Sequence, residues 1–231
     1  MIQGMLCKGT DGTSLPSLSL PDRYLPFSSI GKSFAENNIC EMGYAVSKIY
    51  TRSVIEEFSI RFDENIHCLE DLLFMYQYLL HCDYLVLNHM QNYVYVKHPF
   101  SLSHRIHSFE SEYCCFVKYQ QLLAEMMKVW KIPAGDMVVT VNSMLVPFRR
   151  ALKSDYQPDR TIPREMRVKH LKRMISESRD VFLKYYHPVF KTDKLGKVLL
   201  GFNCYILYDF YIRLLFRLNI GPVFYGPKHM Y

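Results

Sequence analysis

Arg61-Phe62-Asp63-Glu64, Glu70-Asp71-Leu72-Leu73-Phe74, Tyr93-Val94-Tyr95 and Ser101-Leu102-Ser103-His104-Arg105 follow one another along this chain, and their reading decides its fold. The acidic pair Glu70-Asp71 opens an apolar segment in which Leu72, Met75, Tyr76, Leu79 and Leu80 recur at i, i+3, i+4, i+7 and i+8, the spacing of a helix. Leu73, Phe74 and Tyr78 make its other side apolar too, so the helix reads as buried on most sides. A strand from Tyr84 to Leu87 follows. A second strand, Tyr93 to Lys97, leads into a polar loop holding His98, Ser101, Ser103, His104 and Arg105. Carboxylates in a first helical turn meet free backbone N–H groups, so capping alone explains such a pair. Carboxylates beside a basic loop are also the pattern of a reactive site.

Preceded by Ser47-Lys48-Ile49-Tyr50-Thr51-Arg52, these runs stand in an order that resembles the C-terminal half of the catalytic domain of family 2 glycosyltransferases. Those are inverting enzymes with the GT-A nucleotide-sugar fold. The resemblance covers Gly43 to Arg105. It implies an α/β class: part of a GT-A domain at 1–106, a helical region at 107–190 and an amphipathic tail at 191–231. It implies Asp71 as catalytic base with Glu70 beside it. It makes His98, Ser101, Ser103, His104 and Arg105 a loop over the diphosphate or acceptor, and Lys48 a phosphate contact. The family usually has Arg where this chain has Val96, a departure that weakens phosphate contact through that strand. A base is needed because, in an inverting transfer, an acceptor hydroxyl attacks the anomeric carbon in line and must lose its proton.

The family's opening strand, its Asp-Gly-Ser turn and its Asp-x-Asp metal motif do not occur here. The chain therefore reads as the acceptor-side half of such an enzyme: a fragment, a truncated product or one part of a split transferase. Mg or Mn is expected for the complete enzyme, with its ligands outside this chain. His67 and His81 give no metal-ligand spacing. The implied partners are a nucleotide-sugar donor, a glycan or lipid-linked acceptor, an upstream-encoded N-terminal half and an anionic membrane surface, but not nucleic acid. The implied function is sugar transfer in cell-surface or exopolysaccharide synthesis. The alternative is a non-catalytic remnant that binds a membrane or a partner. Alone, the chain is expected not to transfer sugar, and to leave the helix from Leu72 to His81 partly uncovered.

Composition agrees with a globular chain. Of 231 residues, 49% are hydrophobic and 22% charged, too apolar for disorder. The net charge of +6 suits phosphate or anionic lipid, and no Lys/Arg block marks nucleic-acid binding. Seven cysteines without C-x-x-C spacing read as reduced thiols, and no apolar run is long enough for a membrane span. The expected location is the cytoplasm, or the inner face of the plasma membrane.

Elsewhere, Met1 to Cys7 reads as a strand or a frayed start, and Lys8 to Ser33, with Pro16, Pro21 and Pro26, as a loop around one short helix. Lys48 to Phe58 reads as a helix burying Ile49, Val54 and Ile55. Helices are expected over His107 to Val129, over Asp136 to Leu152 with a kink at Pro147, and from the charged segment after Pro163 to near Tyr186. In the tail, Lys197, Gly201, Asp209, Arg213 and Arg217 recur at multiples of four. They form one polar stripe on a helix from Lys194 to Leu218, as on a helix lying in a membrane surface or docked on its own domain.

Overall fold

The computed structural model describes residues 1–37, 39, 42–98, 107–132, 145–156, 161–176, 179–180, 183, 187–188, 191–218 and 220. Ser101, Ser103, His104 and Arg105, and the expected helix start at 136–144, lie outside the described residues. The fold is mixed α/β, with two three-stranded sheets and, among the described residues, eight helices. The chain divides into two compact units. Unit 1 comprises residues 1–105 and 121–140, and unit 2 comprises 106–120 and 141–231.

Unit 1 is built on one broken strand pairing with another. Ile2–Gln3 (β1) and Met5–Gly9 (β2) are nearly continuous, interrupted at Gly4. Ser14–Leu18 (β3), Arg23–Pro26 (β4), Phe27–Glu36 (α1), Arg52–Glu57 (α2) and Glu70–Leu80 (α3) follow. Tyr84–Asn88 (β5) and Val94–Lys97 (β6) repeat the break. β1 runs parallel to β5, pairing Ile2 with Leu87, and β2 runs parallel to β6, pairing Leu6 with Val94 and Gly9 with Lys97. A parallel pair needs a crossover connection, which α2 and α3 supply. β4 adds antiparallel to β5, and β3 antiparallel to β2. Gly4 marks the switch between the sheets: its N–H donates to the Asn88 carbonyl at 3.2 Å, its carbonyl accepts from the Ser47 hydroxyl at 2.9 Å, and a Cβ there would stand 2.7 Å from the Leu18 oxygen.

The segment expected as a loop from Lys8 to Ser33 instead holds β3, β4 and α1. Asp11-Gly12 turns the β2–β3 hairpin. Gly12 takes φ +82°, and Asp11 Oδ1 accepts from the Thr13 N–H at 3.0 Å and the Thr13 hydroxyl at 2.7 Å. The prolines do not prevent pairing, because Pro16 and Pro26 lie on the outer strands of their sheets, where a missing N–H costs no ladder bond. The helix expected from Lys48 begins only at Arg52. Lys48 bridges Ile2 across an antiparallel contact, and the Ile49 N–H donates to the Met1 carbonyl at 2.9 Å, which commits both residues to extended backbone. Ile49 is consequently exposed, and Val54 and Ile55 are only half-buried.

α3 is buried on both faces, with Met75 and Tyr76 inaccessible; the expected uncovering of this helix is incorrect. α1 packs on β4 and β5. Phe34 of α1 meets Tyr76 edge-on at 5.4 Å and Trp130 at 5.3 Å.

Unit 2 is helical. Phe109–Val129 (α4) gives its first half to this unit, joined by Leu145–Tyr156 (α5), Arg164–Ser176 (α6), Lys191–Gly201 (α7) and Tyr205–Arg217 (α8). Phe116, Phe148, Leu171, Met174, Leu200 and Ile212 are central to its core. Pro147 lies near the start of the described part of α5, Leu145–Tyr156, and the expected kink there depends on residues 136–144, which lie outside the described residues. The core carries buried carboxylates, and arginines answer three of them. Arg150 forks onto Glu112 with two bonds of 2.8 Å, Arg149 reaches Asp193 at 2.9 Å, and Arg167 reaches Asp209 at 2.7 and 3.0 Å. No described helix is long and apolar enough to cross a membrane.

The single tail helix expected from Lys194 to Leu218 is two helices, broken at Phe202-Asn203-Cys204, where Asn203 takes φ +57°. The expected polar stripe does not exist: Asp209 is buried against Arg167, whereas Arg213 and Arg217 are exposed.

Candidate active site

The site in unit 1 is assembled by two irregular points of backbone. Leu69, the residue before α3, adopts φ +66°, and Ser47, the residue before Lys48, adopts φ +60°. Non-glycine residues enter this left-handed region at a cost, and such positions concentrate at functional sites. Leu69 sets the direction in which Glu70 and Asp71 leave the helix start. Ser47 turns the chain so that its carbonyl accepts from the Gln3 N–H at 2.9 Å while Lys48 bridges Ile2.

Asp71 is half-buried and doubly held. One oxygen accepts from the Leu72 N–H at 2.8 Å, and the other accepts from the Ala45 N–H at 3.2 Å. Burial raises its pKa, the neighbouring Glu70 carboxylate raises it further, and the two N–H groups and Lys48 only partly offset them, leaving it at about 6. The Lys48 ammonium does not extend into solvent. It donates to the Tyr44 and Val46 carbonyls, and burial lowers its pKa to about 8 against the opposing pull of Asp71. Tyr44 packs on Tyr95 of β6 at 5.5 Å, which ties this turn to the strand that leads to His98.

Two tyrosines complete the surroundings. Tyr50 stands edge-on to Tyr78 at 4.8 Å and to Phe74 at 5.4 Å. The Tyr78 hydroxyl accepts from the Thr51 N–H at 2.9 Å, whereas the buried Tyr50 hydroxyl has no hydrogen-bond partner among the described residues. Burial and the nearby Asp71 push the Tyr50 phenol up. Neither tyrosine stands out in the sequence as a site residue. Tyr50 does lie within the quoted Ser47 to Arg52 run, but nothing in its spacing predicts that its hydroxyl is buried near the Asp71 carboxylate.

The structure thus brings together Asp71, Glu70 and Lys48. His98 lies exposed just beyond β6. The Arg61-Phe62-Asp63-Glu64 run serves the fold: Arg61 donates to the Ile55 and Ile60 carbonyls and to Glu56, Phe62 stacks on Phe74 at 4.5 Å, and Asp63 accepts from the Asn65 N–H at 2.9 Å. Among the described residues no three His, Cys, Asp or Glu side chains converge as a metal site. The chemistry available at this site is that of a carboxylate with a raised proton affinity beside a desolvated ammonium. No protein-family model matches this chain, and no curated protein sequence matches it.

Proposed function

We propose that unit 1 is the acceptor-side part of an inverting glycosyltransferase that uses a nucleotide-sugar donor, with Asp71 as general base. The observation that carries this reading is the half-buried Asp71 carboxyl, its pKa lifted to about 6 at the start of α3. A base whose pKa lies just below the working pH is ionised yet still accepts a proton with useful affinity. The acceptor O–H gives its proton to Asp71 as its oxygen bonds to the anomeric carbon. The bond from that carbon to the phosphate oxygen breaks, and its electron pair leaves with the nucleoside diphosphate. Asp71 then returns the proton to water. Lys48, charged at neutral pH, steadies the ionised carboxylate and acts as a positioning residue. The order of Glu70 to Phe74, Tyr93 to Val96 and the loop beyond them supports the same reading. Synthesis of cell-surface polysaccharide is the proposed setting.

The test is release of nucleoside diphosphate from a panel of nucleotide sugars with oligosaccharide acceptors. The chain is assayed alone and together with a polypeptide carrying an Asp-x-Asp nucleotide-binding half. Release is expected only in the mixture, and Asp71→Asn should lower it by about two to four powers of ten. No release in either case, or an Asn variant within about threefold of the parent, overturns the assignment.

A further inference from the structure

The side of α8 that faces water carries large apolar residues as well as two arginines. Tyr208, Asp209, Ile212 and Leu215 are turned inward, while Ile206, Phe210 and Leu214 are exposed, Phe210 at 65%. Ile206, Phe210 and Leu214 form an i, i+4, i+8 ridge on α8, and Val198 on α7 and Phe202 in the turn between the helices are exposed apolar residues as well, Phe202 at 79%. An exposed apolar ridge of this kind marks a surface that meets something other than water.

The charges around it are sorted by sign. Both acidic side chains of α7 and α8 point inward and are neutralised there, Asp193 by Arg149 and Asp209 by Arg167. The cations Lys194, Arg213 and Arg217 stay outside. Beside the ridge, α6 and α8 enclose an open groove of about 660 Å³, lined by Arg164, Lys172 and Arg213 together with Ile206, Leu207 and Phe210. Its only acidic lining residue is Asp209, already forked by Arg167. The exposed acid of α6, Glu165, does not line it. Apolar side chains standing proud of a cationic groove reproduce the layering of a membrane interface, in which acyl chains lie just beneath anionic phosphates.

We infer that the α7–α8 hairpin docks unit 2 onto an anionic phospholipid surface: the α8 ridge from Ile206 to Leu214, with the exposed Val198 and Phe202, enters the acyl boundary, and Arg164, Lys172 and Arg213 receive lipid phosphate. The sign-sorted charge selects lipid over a protein partner or a second copy, because every exposed charge of the hairpin is positive. The inference involves only unit 2, so it stands or falls independently of Asp71.

Flotation of the full chain with vesicles tests it. Phosphatidylcholine vesicles containing phosphatidylglycerol should carry the protein, and pure phosphatidylcholine should not. Binding should weaken as salt rises and should survive inorganic phosphate at the same ionic strength, which separates a lipid surface from a free-phosphate site. Phe202→Ser with Phe210→Ser should lower binding at least tenfold, and Arg164→Ala or Lys172→Ala should each lower it about fivefold. Circular dichroism establishes that each variant is folded, and the exposed positions chosen make loss of fold separable from loss of binding. Absence of binding to the anionic vesicles overturns the inference. So does equal binding by the double serine variant, or concentration-dependent self-association abolished by that variant in place of vesicle binding.

Discussion

Arg167 Nε lies 2.7 Å from Asp209 Oδ1, with both side chains buried, and this pair fixes which side of α8 faces the protein. Arg167 adds a second bond to Asp209 Oδ2 at 3.0 Å, and the Tyr156 hydroxyl donates to Asp209 at 2.9 Å. A buried charge without its partner is costly, whereas apolar replacement of both partners is close to neutral. Arg167→Leu alone should therefore lower unfolding free energy by about 3–5 kcal/mol. Arg167→Leu combined with Asp209→Leu should lower it by less than the single change does. Urea denaturation of the two single variants and the double variant measures the coupling, and additive losses would show that the pair does not act as a unit.

The pH dependence of unit 1 follows from Asp71. Its carboxyl has a pKa of about 6 when folded, above the ordinary 3.8, so the folded state binds the proton more tightly than the unfolded chain. The contribution is favourable at low pH and is lost as pH rises from 3.8 to about 6. Asp71→Asn should remove that slope, so the stability difference between parent and variant changes across this window and is constant above it. The rate of the proposed transfer should run the other way, rising through pH 6 as Asp71 ionises. A parent and variant whose stabilities run parallel from pH 4 to 7 would contradict the raised pKa.

Gly43 lies against Leu72, the residue that follows Asp71. A Cβ at position 43 would stand 2.7 Å from Leu72 Cβ and 3.2 Å from its Cα. Backbone cannot yield as a flexible side-chain tip does, so Gly43→Ala should destabilise by about 1–3 kcal/mol. It should also displace the Leu72 N–H that holds Asp71. Thermal unfolding reads the first effect, and the pH profile of Asp71 reads the second. An unchanged melting temperature would refute the close approach.

Tyr50 and Tyr78 offer a matched comparison. The Tyr50 hydroxyl is buried without a hydrogen-bond partner among the described residues, and the Tyr78 hydroxyl accepts from the Thr51 N–H. Tyr50→Phe keeps the ring contacts and removes an unsatisfied group, so stability should hold or rise by about 1 kcal/mol. Tyr78→Phe leaves a backbone N–H without its acceptor and should cost about 0.5–1.5 kcal/mol. Chemical denaturation of the two variants under one condition decides the order, and the reverse order would refute it.

The sequence by itself determined the elements whose periodicity is strong. Leu72 to Leu80 is apolar on all sides and forms a buried helix, and Tyr84 to Leu87 and Tyr93 to Lys97 are rich in β-branched and aromatic residues and form strands. Glu70 and Asp71 are legible as first-turn carboxylates because a helix start leaves its N–H groups free. Strands β3 and β4 were masked by prolines, since a proline signals a loop until it is known that its strand lies at a sheet edge. Lys48 and Ile49 have helical neighbours in sequence but are taken into extended backbone by Met1 and Ile2, a pairing between residues far apart in the chain.

Charge patterning failed in the tail for the same reason. A period of four places Asp209 with Arg213 and Arg217, but the break at Asn203 and the arginine waiting on α6 turn Asp209 inward. Residue spacing determines which side chains share a helix face. Only tertiary structure decides which face is covered, because that depends on the partners other segments bring to it.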